Sequence, residues 1–244
     1  MELNWIEIGN LTSDETIIFL HEGLGCIELW KGYPEKVCET LNVKGIVYDR
    51  SGYGKSPGNL TQRKADYLHL AADELFDFIN YLKLKSVHLY GHSDGGSIAL
   101  IFASKYTNRV KSIVTEAAHV FNEPETIKGV QEARPLLKEG RMEGLRKYHG
   151  DRYQEVFYAW NDIWLDDSFE DWNIEKEIKS INCPALIIQG LEDQYGTLKQ
   201  VEAISNAIKD NVKTFTPNHC GHAPFKEQTA LVLNEITQFY NEFI

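Results

Sequence analysis

The pentapeptide GHSDG, residues 91–95, places a serine between two glycines where the apolar run VHLYG gives way to SIALIFA. A strand that passes directly into a helix makes a sharp turn, and side chains two residues before or after the serine would collide across it. Gly91 and Gly95 remove those side chains, and Gly96 lets the helix approach the sheet. The Ser93 hydroxyl would then stand at a helix N-terminus, where free N–H groups favour developing negative charge. The motif therefore predicts a nucleophilic serine.

A serine hydroxyl is a weak nucleophile at neutral pH, so it needs a general base. We expect that base beyond the last strand, where the segment NHCGHAPF offers His219 and His222. His222 follows a glycine in a loop able to aim an imidazole across the sheet edge, so His222 is the predicted base and His219 a structural residue. A metal site at His219, Cys220 and His222 is disfavoured, because no further cluster of ligands accompanies them.

The base must itself be oriented by a carboxylate. The segment ALIIQGLEDQYG supplies Asp193 just past a turn, with Glu192 beside it. Asp193 is the predicted residue, and Glu116 at the end of KSIVTE is the alternative, because it reaches the same sheet edge. The chain order Ser93, Asp193, His222 is one in which such triads occur.

Hydrolysis of an acyl group also requires two backbone donors for the oxyanion. One is the N–H of Asp94, directly after the serine. The other is expected from HEGLGC, residues 21–26, either from Gly23 or, with a shift of one residue, from Leu24; Gly23 is our choice. The Asp94 carboxylate is expected to bond nearby loop backbone, with attraction of a cationic substrate amine as the alternative.

Short apolar runs rich in Ile and Val must form the framework that positions these residues. They suit strands buried on both faces of a parallel sheet, and they cover residues 16–21, 45–49, 87–91, 111–117 and 185–190, with a last strand nearer an edge at 211–216. Helical periodicity between them, as in residues 66–83 with Asp66 as N-cap, predicts right-handed crossovers with helices on both faces. The first segment, LNWIEIG, is expected to pair antiparallel with TIIFLH.

Residues 119–180 interrupt this alternation, because helical patterns recur there without a run that reads as a buried strand. The predicted organisation is therefore an α/β core of residues 1–118 and 181–244 with a helical lid at 119–180. The lid is rich in aromatic residues, most of which we expect to pack it against the core. Trp160 and Trp164, in YAWNDIWL, are the predicted substrate-binding residues.

Composition limits the classes of partner. A net charge of -11, with no block of basic residues, argues against nucleic acid and anionic membrane as partners. The N-terminus lacks the basic start and apolar core of a signal peptide, and the apolar runs are too short to span a bilayer. Four scattered cysteines without a C-x-x-C pair indicate free thiols and a cytoplasmic protein.

Five segments in order, FLHEGLG, VYDRSGYGKS, LYGHSDGGSIAL, CPALIIQGLED and CGHAPF, resemble the α/β-hydrolase superfamily over nearly the whole chain. The resemblance implies a mostly parallel sheet with helices on both faces and a lid. It also implies that Arg50, Gly52, Gly54 and Ser56 brace the active site. Glu22 departs from the pattern, because glycine is usual there.

Within the superfamily, the SDGG elbow resembles valacyclovirase-like esterases and, more loosely, the C–C hydrolases of aromatic meta-cleavage. The resemblance implies a serine hydrolase of small carboxylic esters or related acyl compounds, without cofactor or metal. C–C bond hydrolysis of dienoates is the alternative, and it would be favoured by a positive carboxylate clamp from one of four lid residues, Arg134, Arg141, Arg146 and Arg152. A third hypothesis is that the protein binds a ligand without catalysis, and this is disfavoured because all three triad positions are filled. Oligomeric state is left open.

Overall fold

The computed structural model describes residues 2–61, 63–209 and 211–243. Over these residues the chain forms a sheet of seven strands: β1 (Trp5–Gly9), β2 (Thr16–Leu20), β3 (Lys44–Tyr48), β4 (Val87–His92), β5 (Val110–Glu116), β6 (Ala185–Ile188) and β7 (Val212–Phe215). Their order is β1-β3-β2-β4-β5-β6-β7, and every adjacent pair is parallel except β1 with β3. The predicted mostly parallel sheet, with residues 211–216 near an edge, is confirmed.

The predicted pairing of the first strand with the second is wrong. β1 pairs antiparallel with β3, from Trp5 opposite Tyr48 to Gly9 opposite Lys44. Both edges of β2 are bonded in parallel to β3 and β4, and all five of its residues are buried. Because no residue of β1 is fully buried, it suits the edge of the sheet, whereas the fully buried β2 takes a central position.

Helices cover both faces of the sheet. Over the described residues they are α1 (Tyr33–Leu41), α2 (Tyr67–Tyr81), α3 (Asp94–Lys105), α4 (Pro124–Lys138), α5 (Arg146–His149), α6 (Tyr153–Trp164), α7 (Leu198–Ile208), α8 (Pro224–Glu227) and α9 (Thr229–Phe243). One core lies between the sheet and α1 and α9, and it contains Val37 and Phe239. The other lies under α2, α3 and α7 and contains Leu75, Ile98 and Ile204. The expected layering on two faces is confirmed.

Asp66 occupies the N-cap position of α2, as predicted, but its side chain makes no capping hydrogen bond. Its backbone, with φ -92° and ψ 6°, lacks the extended conformation in which a cap side chain reaches back to the helix. The stripe of apolar residues along α2 is buried nevertheless, so tertiary packing rather than the cap stabilises this helix.

Between β5 and β6 the chain forms α4, α5 and α6 with short 3-10 turns among them. Tyr153, Phe157, Trp160 and Trp164 recur at three- and four-residue steps, which places them on one buried face of α6. Trp164 also packs edge to face on Phe169, with ring centroids 4.9 Å apart. Phe169 in turn packs on Tyr67 of α2, with ring centroids 5.8 Å apart, and this contact attaches the segment to the rest of the chain.

In the part of the chain that is described, no helix is both long enough and apolar enough to cross a bilayer. All four cysteines are buried with free thiols.

Candidate active site

Ser93 lies at the bend between β4, which ends at His92, and α3, which begins at Asp94. Its φ of 53° and ψ of -118° are strained for a residue with a side chain. The surrounding structure leaves no room for relaxation, because a Cβ at Gly91 would lie 2.1 Å from the Gly95 carbonyl oxygen. The Ser93 N–H donates to the Glu116 carbonyl oxygen at 2.8 Å, which fixes the bend to the end of β5.

Replacement of Gly95 with alanine is expected to destabilise the fold. The new Cβ would lie 2.0 Å from the backbone oxygen of Leu20, and backbone cannot rotate away as a side chain can. Forced displacement of packed backbone costs about 3 kcal/mol, which lowers the melting temperature by roughly 6–12 °C in a chain of this size. Gly144→Ala is the matched control, because nothing lies within 4 Å of its Cβ position. Equal melting temperatures for the two variants, measured by calorimetry, would show that the bend tolerates a larger residue.

The structure brings together Ser93, His222 and Asp193. His222 Nε2 lies 2.9 Å from Ser93 Oγ, and its Nδ1 lies 2.9 Å from each carboxylate oxygen of Asp193. The Asp193 side chain is fully buried, and that of His222 is 17% exposed. The three side chains therefore form one line of hydrogen bonds, from hydroxyl to imidazole to carboxylate.

Three further residues hold this line in place. Gln189 Nε2 donates to Asp193 Oδ2 at 2.6 Å, and the Tyr195 N–H donates to Asp193 Oδ1 at 2.8 Å. His92 Nε2 donates to the His222 carbonyl oxygen at 2.7 Å. Burial, with the nearby positive charge of His222, lowers the pKa of His92 to about 3, so His92 is neutral at physiological pH. These supporting contacts were not among the sequence predictions.

The pKa values of the His222–Asp193 pair move apart. Burial by itself would raise the pKa of Asp193, but the charge and hydrogen bond of His222 and the Tyr195 amide lower it below its ordinary value. Burial by itself would lower the pKa of His222, but the charge and hydrogen bond of Asp193, with Glu22 and Asp94 nearby, raise it. The pair consequently favours an ionised carboxylate and an imidazole that is readily protonated.

The two alternatives weighed from the sequence lie elsewhere. The His219 side chain is 90% exposed and contacts Glu192. Glu116 is fully buried, and its Oε2 accepts from the Phe225 N–H at 2.7 Å, while its Oε1 accepts from the Tyr90 hydroxyl. Burial raises the pKa of Glu116 to about 7. Glu116 thus contacts the start of α8, just after the His222 loop, rather than the imidazole.

The loop after β2 carries the second candidate oxyanion donor. The Leu24 N–H is already bonded to the Glu22 carboxylate. The amides of Gly23 and Asp94 have no acceptor among residues 2–61, 63–209 and 211–243. A Cβ at Gly23 would lie 2.3 Å from Trp160 Cδ1, so the indole packs directly on this glycine. These contacts favour Gly23 over Leu24 as a free donor.

The Asp94 carboxylate contacts other side chains instead of the expected loop backbone. The Tyr67 hydroxyl donates to Asp94 Oδ1 at 3.1 Å, and Arg50 Nη2 lies 3.6 Å from Oδ2. Asp94 is 1% exposed, so the arginine rather than solvent balances its charge. The expectation of a backbone partner is wrong, because the helix start buries Asp94 against α2 and the loop after β3. The same burial disfavours contact with a substrate amine.

The loop after β3, which the resemblance implied to brace the site, contacts the loop after β2 and the segment between β5 and β6. Arg50 Nη2 donates to the Glu22 carbonyl oxygen at 2.9 Å, and Ser56 Oγ donates to the Asp49 carbonyl oxygen at 2.6 Å. The Gly54 N–H donates to His149 Nδ1 at 3.0 Å, and His149 Nε2 donates to the Leu24 carbonyl oxygen at 2.9 Å. His149 therefore ties the segment between β5 and β6 to both loops.

Ser93 opens into a cavity of about 20 Å³, which is room for one water-sized group. It is lined, besides Ser93 and His222, by His119, Thr126, Val130, Trp160, Trp164 and Tyr195. Two larger clefts, of about 420 and 500 Å³, lie beside residues 59–61 and contain neither Ser93 nor His222. The small cavity is the one joined to the hydroxyl, so it is the relevant space for chemistry.

Across the described residues, no group of three or more His, Cys, Asp and Glu side chains is arranged to hold a metal ion.

Comparison with known proteins places this geometry in context. A family model described as "alpha/beta hydrolase fold" matches residues 15–149. Serine hydrolase BPHL of Homo sapiens is 29% identical to this chain over 198 residues, and the alignment covers 79% of this chain and 67% of the human protein. The alignment with serine hydrolase BPHL of Mus musculus covers 56% of the mouse protein. Proline iminopeptidase of Lactobacillus crispatus (strain ST1) is 22% identical over an alignment of 264 positions, covering 91% of this chain and 88% of that protein.

Among solved structures, the meta-cleavage product hydrolase CumD from Pseudomonas fluorescens IP01 superposes with a TM-score of 0.77 at 21% sequence identity, covering 98% of this chain and 94% of that one. At this level of identity the likeness establishes the shared fold and leaves the reaction to be argued from the site.

Proposed function

The chain belongs to the alpha/beta hydrolase fold family, and from that premise we propose that it is a serine hydrolase of small carboxylic esters or related acyl compounds. The observation that carries the proposal is the continuous contact from Ser93 Oγ through the His222 ring to Asp193. The fold brings the hydroxyl and the imidazole into contact from positions 129 residues apart in the sequence. Acyl transfer by a serine requires such a contact between the nucleophile and an oriented base.

In the proposed mechanism, Ser93 Oγ attacks the carbonyl carbon while His222 Nε2 takes its proton. Asp193 holds Nδ1–H and stabilises the imidazolium, and the amides of Gly23 and Asp94 bind the oxyanion. His222 then protonates the leaving group, which departs and leaves an acyl-serine. A water molecule, deprotonated by His222, attacks that ester, and collapse of the second tetrahedral intermediate releases the acid and restores the serine.

We further propose that residues 119–180 act as a lid over a core of residues 1–118 and 181–244. Two lid residues, Trp160 and Trp164, line the cavity at Ser93, and Trp160 also packs on Gly23. A cavity of about 20 Å³ is smaller than any ester substrate, so the cavity must widen when substrate enters. Contact with the acyl group is the proposed role of the two indoles.

The surroundings of the lid arginines favour esters over dienoate acids. Arg134 pairs with Asp162, Arg141 with Glu139 and Arg146 with Asp151. The fourth, Arg152, donates to the carbonyl oxygens of residues 54, 56 and 58. No Lys or Arg is among the described residues that line the cavity, so no cationic side chain of these types complements a substrate carboxylate there.

The human relative is named a serine hydrolase, which agrees with the proposed reaction class. A protein that only binds a ligand has no need of an oriented imidazole on its serine. Such a protein would be stabilised by its ligand without turnover, whereas the proposed enzyme would release product.

The pH dependence of the reaction tests the proposal. His222 acts only when neutral, and Asp193 raises its pKa, so kcat/KM for 4-nitrophenyl acetate is expected to fall as pH drops, with a midpoint above the ordinary pKa of a histidine. Labelling of Ser93 by a fluorophosphonate, located by mass spectrometry, should follow the same curve. In Asp193→Asn, the carboxylate that raises the pKa of His222 is gone, while burial still lowers that pKa. The His222 ring should therefore titrate at lower pH than in wild type, as measured by NMR. A wild-type protein that neither labels nor hydrolyses the ester would contradict the proposal.

A further inference from the structure

Two polar atoms without partners lie on residues of the small cavity at Ser93. His119 and Trp164 both line it, each is 3% exposed, and their rings meet edge to face with centroids 5.2 Å apart. Within the described part of the chain, neither His119 Nδ1 nor Trp164 Nε1 has a hydrogen-bond partner. Buried polar atoms are normally paired, so each such atom calls for an explanation.

The contacts of His119 determine what Nδ1 can do. Its Nε2 lies 2.9 Å from the Tyr195 carbonyl oxygen, which can only accept, so Nε2 carries the hydrogen. Burial lowers the pKa of His119, and the ring is therefore neutral at physiological pH. In this neutral tautomer Nδ1 has a free lone pair and acts as an acceptor.

The ring is held where it lies. Ser97 Oγ donates to the His119 carbonyl oxygen at 2.7 Å and accepts from the His119 N–H at 3.1 Å. The bond from Nε2 to Tyr195 fixes the other side of the imidazole. An acceptor held from both sides is preorganised for a ligand rather than free to find another partner.

The indole supplies the complementary group, because Trp164 Nε1–H can only donate. A hydroxyl group donates one hydrogen bond and accepts others, so it has the donor that Nδ1 needs and the acceptor that Nε1–H needs. An ammonium group donates only, and a carboxylate accepts only, so each would leave one of the two unpaired. Among these groups, the hydroxyl fits the pair.

We infer that the substrate carries a hydroxyl group on the carbon next to its scissile carbonyl or on the one after, bound between His119 Nδ1 and Trp164 Nε1. The inference rests on the proposed function, because Ser93 and His222 line the same cavity and would place the scissile carbonyl beside His119 and Trp164. A site that must hydrogen-bond a substrate hydroxyl discriminates strongly against the analogue without it. His119 and Trp164 are thus specificity-determining residues.

The experiment compares the 4-nitrophenyl esters of butyrate, 2-hydroxybutyrate, 3-hydroxybutyrate and 3-aminobutyrate. For each substituted ester, kcat/KM is first divided by kcat/KM for the butyrate ester. This ratio is then divided by the corresponding ratio of rates for hydroxide-catalysed hydrolysis, which corrects for intrinsic reactivity. The result is called the preference. Wild type is expected to prefer at least one hydroxy ester about tenfold or more. His119→Phe and Trp164→Phe keep a ring but remove Nδ1 or Nε1–H, and both should bring the preference to about one.

Thr126→Val is the matched control. Thr126 Oγ1 donates to the same Tyr195 carbonyl oxygen at 2.6 Å, so this variant loses a neighbouring hydrogen bond but keeps both proposed contacts. Its rates with all four esters should change in parallel, and the preference should stay as in wild type. If His119→Phe does not fold, Trp164→Phe decides the question alone.

A wild-type preference near one for both hydroxy esters, or a preference unchanged in Trp164→Phe, would overturn the inference. A higher preference for the amino ester than for either hydroxy ester would also overturn it, because that result indicates an ammonium site. Each of these results leaves the proposed function standing, since esters are still hydrolysed. Absence of any hydrolysis together with absence of Ser93 labelling would instead remove the proposed function itself.

Discussion

Replacement of Ser93 with alanine is expected to lower kcat for 4-nitrophenyl acetate by about 10⁴-fold or more, with KM changed little. The variant keeps the oxyanion donors and the cavity but has no oxygen to form the acyl-enzyme. His222→Ala should cost a similar factor, because the hydroxyl at 2.9 Å then loses the only base in contact with it among the described residues. Side chains that act as a unit are not additive, so the double variant should be no slower than either single variant.

Matched controls separate this loss from general damage. Ser168→Ala removes an exposed serine hydroxyl, and His219→Asn removes an imidazole three residues from His222 that is 90% exposed. Both should retain the wild-type rate. His219 has a φ of 52°, and asparagine tolerates this conformation better than most residues. A Ser93→Ala variant with the wild-type rate, after exclusion of contaminating esterase, would refute the assignment of the nucleophile.

The central residues of the site were predictable because each belongs to a local pattern. Ser93 is identified by two glycines and a strand-to-helix change, which are encoded within a few residues. His222 and Asp193 follow buried strands, and parallel strands bring their carboxyl ends to one edge of the sheet. The order of strands along the chain therefore sufficed to bring three distant residues together.

The supporting contacts were not predictable, because they join residues that no local pattern relates. The contacts of Gln189 with Asp193 and of His92 with the His222 carbonyl depend on side-chain packing in three dimensions, as does the lack of a partner for His119 Nδ1 among the described residues. The buried pairing of Asp94 with Arg50 is of the same kind. The misplaced β1 has a related cause, since consecutive strands are neighbours in only about two-thirds of cases.

The identity of the acid is the second decisive test. Asp193→Asn is expected to lower kcat by about 10³- to 10⁴-fold, because His222 loses the carboxylate that selects its tautomer and stabilises its charge. Glu116→Gln should lower it by tenfold at most. Glutamine still accepts from the Phe225 N–H, and its amide still contacts the Tyr90 hydroxyl, so the start of α8 keeps its anchor.

The pH profile of Glu116→Gln separates positioning from acid catalysis. The pKa of Glu116 is about 7, so protonation of Glu116, like protonation of His222, would lower the rate at low pH if Glu116 were the acid. The groups that face it are Tyr90 on β4, Tyr33 on α1 through Tyr90, the Phe225 amide and the His222 charge. If Asp193 is the acid, Glu116→Gln keeps the loss of rate at low pH, because that limb belongs to His222. The opposite result would be a loss of about 10³-fold or more in Glu116→Gln together with an active Asp193→Asn variant. In that case the acid is Glu116, and the bond between His222 and Asp193 only orients the resting imidazole.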